Sequence, residues 1–429
     1  MYVQREIDDY LTRFFSGSAP RALILAGIVG CGKTTVVQHL LERIAPHRAV
    51  FSFTGDEVGF RNTVATDTAF LVNRVRSSTQ GPALVFVDEV QKTEAVFDAL
   101  KICFDAGVSF VVSGSNPAYL ATAARRRLQR RADFMTLAPF SLPEILHNQG
   151  WIHLEKCQEG LLDILDRNTQ LTVPDLGLRL TEEIQTLSLR YLKIGGLPLA
   201  HLEVDATLAM RQIRTVVERG FEVIRHDNKN ISDAVRTYLA RNQSREFSYQ
   251  SVMQRTGVRR RDDINSEIEE LQGHGYLHAK RPTLMGEDRR SYLCVYAYAD
   301  PGIVSYLSGT EEPLSDDLGH RLEGMVHARL EFLRQLIPLK TELAYYKPFT
   351  VDQNNKTKFG PGEIDFVYSR GTRHVPIEVK LTADVAAIDS TLVENFVRRY
   401  ESPYGIILYG GVPQIRDDRR LIYWPYWAV

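Results

Sequence analysis

Gly27-Ile-Val-Gly-Cys-Gly-Lys-Thr34 lies between an apolar run and an amphipathic one, and its reading decides the fold. It satisfies G-x-x-x-x-G-K-[ST], in which glycines let the backbone wrap closely, so that N–H groups and a helix N-terminus face phosphates. Residues 21–26 (RALILA) read as a buried strand. Val36, Val37, Leu40, Leu41 and Ile44 fall on one stripe of a helix that stops before Pro46. Strand, loop, helix is the context this pattern requires. Lys33 is expected to reach the β- and γ-phosphates of ATP, and the Thr34 hydroxyl to take one Mg²⁺ position. Gly27, Gly30, Gly32 and Thr35 complete the nucleotide-binding stretch.

Working outward, Ala83-Leu-Val-Phe-Val-Asp-Glu89 is an apolar strand ending in two acids. Ligands of open α/β sheets bind at that strand edge. Asp88 is expected to hold Mg²⁺ through water, and Glu89 to polarise the attacking water. Further strands over 49–53 and 108–112, with helices between such as 93–105, predict a mainly parallel sheet covered on both faces. The last strand runs into Ser113-Gly-Ser-Asn116. Ser115 and Asn116 are candidates to orient the water, and equally are common turn formers. The run Arg125-Arg-Arg-Leu-Gln-Arg-Arg131 reads either as the source of an arginine acting on a neighbouring subunit's γ-phosphate or as a solvated or DNA-contacting helix end.

Beyond residue 140 the pattern turns helical to about 230, broken at Pro174 and at Gly195-Gly-Leu-Pro198. Helical stretches over 231–240, 249–257 and 263–273, followed by 276–282, have the order of a winged helix. Arg259, Arg260 and Arg261 precede its second helix, and Lys280, Arg281, Arg289 and Arg290 fall in the wing region. Those positions suit phosphate contacts, whereas Glu267, Glu269 and Glu270 would repel a groove. A helix from about 318 leads into strands near 343–346, 363–368, 375–379 and 404–408, a third α/β part. The expected plan is an ATPase core over 1–140, a helical lid over 141–230, a winged-helix-like module over 231–300 and an α/β domain over 301–429.

With 429 residues the chain has room for about three domains, and a net charge of −1 excludes a globally basic nucleic-acid coat. The 4 cysteines form no CxxC pair, which argues for reduced thiols. The charged start Met1-Tyr-Val-Gln-Arg-Glu lacks the apolar stretch of a signal peptide, and no segment suits a membrane span. A cytoplasmic protein without membrane contact is expected.

Asp88-Glu-Val-Gln91, Ser113-Gly-Ser115, the arginine ahead of Leu137-Ala-Pro-Phe-Ser-Leu-Pro-Glu144, and Tyr191 with Gly195-Gly-Leu-Pro198 resemble a prokaryotic family. Its members are AAA+ ATPases carrying a C-terminal domain related to PD-(D/E)XK nucleases. The resemblance runs nearly the length of the chain. It implies a lid, a winged helix, a homo-oligomeric ring of six and a finger role for Arg131, although Arg130 stands where the family has glycine.

The resemblance also draws attention to Glu363-Ile-Asp-Phe-Val and Val375-Pro-Ile-Glu-Val-Lys380, where Asp365, Glu378 and Lys380 fit the D…(D/E)-x-K core. Glu378 and Lys380, two apart on a strand, share a face. With Asp365 on a neighbouring strand they could hold Mg²⁺ for phosphodiester hydrolysis. Glu323 matches the acidic helix residue of such sites. The leading reading is an ATP-hydrolysing AAA+ enzyme acting on DNA. An ATP-controlled signalling or defence switch and a protein-remodelling ATPase are the alternatives.

Overall fold

Ala22–Ala26 (β1) has no polar residue in five, and every one of them is buried, as a strand covered on both faces requires. The computed structural model describes residues 2–129, 131–167, 176, 181–224, 228–283, 285, 293–310, 315–337, 339–351 and 357–429. Arg130, Pro174, Arg289 and Arg290 lie outside the described residues. The chain divides into two units. The first comprises Met1–Pro139, Thr215–Arg225 and Glu269–Tyr276, and the second holds the remainder.

In the first unit β1 is joined by Ala49–Thr54 (β2), Ala83–Asp88 (β3), Ser109–Gly114 (β4) and Asp133–Thr136 (β5) in a sheet of order β2-β3-β4-β1-β5. All its pairings are parallel. Helices Val58–Thr66, Phe70–Ser78 and Ala95–Asp105 supply Phe60, Leu71, Val75, Phe97 and Leu100 to a core shared with Ile24, Val85, Val87, Phe110 and Val112. Fully burying a side chain of this size contributes roughly 1.5–3 kcal/mol, so the sheet's register is firmly held. The short β5, with Asp133 exposed at its start, carries no apolar run; it forms because the β1 edge is open to it.

Helices Lys229–Arg241 and Tyr249–Thr256 of the second unit, and Arg261–Gly273, whose end from Glu269 belongs to the first, are followed by Leu277–Lys280 (β6) and Val295–Tyr298 (β7), an antiparallel pair of the second unit. Glu342–Tyr346 (β8), Phe349–Val351 (β9), Thr357–Phe359 (β10), Ile364–Arg370 (β11), Arg373–Val379 (β12), Gly405–Tyr409 (β13), Gln414–Arg416 (β14) and Leu421–Pro425 (β15) follow. β9 and β10 form a ribbon, and the others a six-stranded mixed sheet of order β14-β15-β13-β12-β11-β8. Its β12, β13 and β15 are parallel. Helix Ser315–Gln335 precedes the sheet, and Thr391–Arg399 crosses over between β12 and β13.

The family-like signatures from Leu137 onward are packing devices. Phe140 donates its N–H to the Gly196 carbonyl at 2.8 Å and accepts from the Tyr191 hydroxyl at 2.7 Å. A Cβ on Gly196 would fall 2.0 Å from the Phe140 carbonyl oxygen, so only glycine fits. Ser141 and Glu144 form a capping box on helix Leu142–Asn148. Asp300 accepts from the Gly196 and Gly302 N–H groups at 2.6 and 2.8 Å.

Glu267 does not face a groove, contrary to expectation. It is 3% exposed and takes the guanidinium of Arg236, itself 2% exposed, at 2.5 Å. The helix turns this acid inward because Ile264, Ile268 and Leu271 on the same helix are buried as well. Glu269 is exposed and Glu270 lies partly buried. Arg236 also lies 3.6 Å from Asp233, so removing its closest, buried partner in Glu267→Ala should destabilise by at most about 3–5 kcal/mol, read as a lower urea midpoint. An unchanged midpoint would mean that the pair is not buried in solution.

Candidate functional site

The parallel sheet puts the C-terminal ends of β1, β3 and β4 side by side. Two of the loop glycines meet backbone demands no other residue satisfies: Gly30 and Gly32 have φ of +78° and +97°. At Gly27 the constraint is space, since a Cβ would lie 2.4 Å from the Leu137 carbonyl oxygen. Gly32 opens helix Lys33–Ile44, whose positive dipole end therefore faces the loop. Lys33 is 6% exposed, and its ammonium donates to the Gly27 and Ile28 carbonyls at 3.0 and 2.9 Å. The loop thus holds a buried ammonium beside a helix N-terminus, two positive groups where an anion could bind.

Thr34 donates its hydroxyl to Asp88 Oδ2 at 2.7 Å, joining the loop to the end of β3. Asp88 Oδ1 accepts from the Glu89 N–H at 3.0 Å and from the Ser113 hydroxyl. Val87 pairs with Val112, so the next pair along that register sets Asp88 beside Ser113. Ser113 was missed in the sequence; its signal was only its place at a strand end. Thr35 is exposed, one residue beyond this hydroxyl–carboxylate network. Glu89 adopts φ 49° and ψ 43°, a left-handed conformation that costs of order 1–3 kcal/mol in a residue with a Cβ. Gly55 accommodates the turn, because a Cβ there would fall 2.3 Å from the Glu89 carbonyl oxygen.

Ser115 is buried and accepts from the Gln91 amide at 3.1 Å. Asn116 instead caps helix Pro117–Arg127, accepting from the Tyr119 N–H at 3.0 Å, while its amide nitrogen meets His274 Nε2 at 3.1 Å. The turn-former reading therefore holds for Asn116. Arg131 lies just before β5, at the sheet's opposite edge, and binds Asp105 through Nε and Nη2 at 2.7 and 3.3 Å. Arg127 is paired with Asp98 and Glu94 at 2.6 and 2.9 Å. Arg125 and Arg126 are exposed and make no ion pair among the described residues.

In the second unit, β11 and β12 pair Phe366 with Ile377, so the next pair sets Asp365 opposite Glu378. Cross-strand partners share a face. Asp365 Oδ2 accepts from the Val379 N–H at 2.7 Å, and Glu378 Oε1 from Lys380 Nζ at 2.6 Å. Glu378 Oε2 is buried without a hydrogen-bond partner among the described residues. Burial, the Glu378 charge and Glu323 on helix Ser315–Gln335 push Asp365 well above the usual carboxylate range, against the pull of Lys280 and the Val379 N–H. Burial also raises Glu378. It pulls the Lys380 ammonium down, but Glu378, Asp365 and Glu323 leave it above its ordinary value. Among the described residues, no set of three His, Cys, Asp or Glu side chains stands ready to hold a metal.

Lys280 is not a wing contact. It is 2% exposed, donates to the Asp365 carbonyl at 2.7 Å and lies 4.0 Å from the Phe366 ring centre. It faces inward because β6 runs in toward this site, and its partner 85 residues away hid it from sequence reading. By contrast Arg255, Arg259, Arg260, Arg261 and Arg281 are exposed. All four cysteines are buried thiols. No helix among the described residues is long and apolar enough to cross a membrane.

Residues 19–146 match the AAA domain family AAA_14. That segment is an AAA domain, and its parallel α/β sheet fits the assignment. Among solved structures, Cdc6p from Pyrobaculum aerophilum is similar at 12% identity over 72% of this chain and 96% of its own, with a TM-score of 0.26. Domain III of the Thermotoga maritima replication initiation protein DnaA gives 14% identity over 51% and 95%, with a TM-score of 0.27. Drosophila ORC bound to DNA gives 12% identity over 67% and 90%, with a TM-score of 0.29. Likenesses at this level carry no argument about activity. No curated protein matches.

The acid pair has a consequence for stability. Asp365 has a folded pKa raised above its unfolded value of ~3.9. The folded state is therefore penalised above that folded pKa, and the penalty fades as pH falls through it toward ~3.9. In EDTA, Asp365→Asn should melt above the parent at pH 7, with the gap closing on acidification. Calorimetric scans from pH 7 to 4 check this, and a gap that widens toward acid would reverse the sign.

Proposed function

We propose that this chain is an ATP-binding and ATP-hydrolysing AAA+ protein that acts on DNA, with a PD-(D/E)XK nuclease-like part at its C-terminal end. The observation that carries the ATPase reading is the Thr34–Asp88 hydrogen bond at 2.7 Å, beside a loop that already encloses Lys33. In this reading Lys33 holds the β- and γ-phosphates, Glu89 accepts the proton of the attacking water, and Ser115 lies at the sensor position. Thr34 and Asp88 offer the hard oxygen donors that suit Mg²⁺, which when bound neutralises phosphate charge.

A homo-oligomeric ring, six copies by family resemblance, would let an arginine act on a neighbour's γ-phosphate. Arg131 would first have to leave Asp105, whereas Arg125 and Arg126 would not, so we favour the latter two. The three helices and the β6–β7 ribbon have the order of a winged helix. Exposed Arg255 near the end of one of these helices, Arg259 and Arg260 in the connection, and Arg261 at the start of the next support contact with DNA phosphates.

For the C-terminal part, Asp365 and Glu378 on one face, the partnerless Glu378 Oε2 and the adjacent Lys380 support a two-carboxylate Mg²⁺ site, with Glu323 nearby on its helix. Bound there, the ion would supply an activated water. Lys380 would stabilise charge on the phosphate.

Lys33→Ala should abolish nucleotide binding in titration with a fluorescent ATP analogue. Glu89→Gln should bind as the parent does yet hydrolyse at least ~10²-fold more slowly, and a parental rate would remove Glu89 from the role of base.

On single-stranded, duplex and branched DNA with Mg²⁺ or Mn²⁺, Asp365→Ala and Lys380→Ala should lose cleavage and keep full ATP hydrolysis. If the parent cuts none of these substrates, and Lys380→Ala merely weakens DNA binding and its salt dependence, the site binds and does not cleave.

A further inference from the structure

One side chain beside the nucleotide site is left unexplained by the assignments above. Gln91 stands two residues beyond Glu89, in the 3₁₀ turn Val90–Lys92. Its amide nitrogen donates to Glu89 Oε2 and, at 3.1 Å, to the Ser115 hydroxyl oxygen. Its amide oxygen is buried and has no partner among the described residues. A Cβ on Gly114 would fall 2.2 Å from that oxygen, so the glycine at the end of β4 makes room for the amide.

These contacts fix the amide's direction. Turned over, its oxygen would face the Glu89 carboxylate, acceptor against acceptor, and the nitrogen would be buried against Gly114. The left-handed conformation of Glu89 is what brings Gln91 back across the strand ends. Both Nε2 protons are thereby committed, one to the end of β3 and one to the end of β4. Leaving the oxygen buried and unsatisfied is a cost the fold accepts, and it is offset only if the two donated bonds matter.

We infer that Gln91 is a positioning residue for hydrolysis: it holds one oxygen of the Glu89 carboxylate, leaves the other to take a proton from water, and ties that aim to Ser115. The inference rests on the reading of Glu89 as the proton acceptor. Ser115, in turn, acts through Gln91 rather than on the water directly.

The test uses the full chain and steady-state ATP hydrolysis with Gln91→Met, Ser115→Ala, the double variant and Glu89→Gln. Methionine keeps the volume and removes both donors. The expected result for Gln91→Met is a kcat lowered about ten- to a hundredfold, the range for one hydrogen bond to a charged group. KM should stay within about twofold, because the phosphate cradle is untouched. Ser115→Ala should lower kcat less, and the double variant no further than Gln91→Met alone, since both act through one chain of contacts.

A parental kcat in Gln91→Met, a loss expressed only in KM, or fully additive single effects would overturn the inference. Should Gln91→Met fold poorly, Ser115→Ala decides alone: a drop in kcat at constant KM supports the link and a parental kcat breaks it. If Glu89→Gln hydrolyses at the parental rate, the underlying assignment of the base fails, and this inference with it. If Glu89→Gln is inactive while Gln91→Met is parental, only the role of Gln91 fails.

Discussion

The Asp88 carboxylate is the constraint on which the first unit depends. One oxygen accepts from Thr34, on the helix that follows β1, and the other from Ser113 at the end of β4. Three strand ends are thereby held at one level. A slip of β3 by one residue would turn Asp88 to the other face, because side chains alternate along a strand. The buried apolar run from Ala83 to Val87 prevents that slip. Packing fixes the register, and the register delivers the acid to the loop.

The second unit places its acids by a different route. β11 and β12 are antiparallel, so Asp365 and Glu378 meet as cross-strand partners rather than at neighbouring parallel strand ends. Burial raises the pKa of both carboxyls, and the Glu378 charge raises that of Asp365 further. The compensation comes from Lys380, just past the end of β12, and from Lys280 on β6. The first unit quiets its acid with hydroxyl and N–H donors. The second leaves an excess of negative charge balanced by ammonium groups.

Sequence reading recovered what is local. The glycine-rich loop is contiguous in sequence, so its place between β1 and the following helix could be read directly, as could the acids closing β3 and the strands β11, β12 and β13. What escaped it depends on distant partners. Glu267 looked like a surface acid until Arg236, 31 residues earlier, took it into the interior. Lys280 looked like a wing cation, and Arg131 gave no sign of its bond to Asp105. The short strands β5 and β14 have no apolar run of their own and exist because a sheet edge is available. The strand β15 (LIYWP) is fully buried and carries an apolar run, but it follows the polar turn Asp417–Arg419, so its signal in the sequence is weak.

The same contrast explains why the signature residues differ in kind. Gly196, Tyr191 and Phe140 are held together through the Phe140 backbone and the Tyr191 hydroxyl, with no space for a Cβ at Gly196, so they specify a junction in the fold. Gln91 lies in an equally tight place, yet its contacts run to a carboxylate and a hydroxyl at two strand ends, and one of its polar atoms goes unsatisfied. A residue kept purely for packing would avoid that penalty, since an apolar side chain of the same volume would fill the space without stranding an acceptor. The choice of an amide therefore bears on the acid it touches. Strain at Glu89 points the same way, because a left-handed backbone there brings the amide and the carboxylate together.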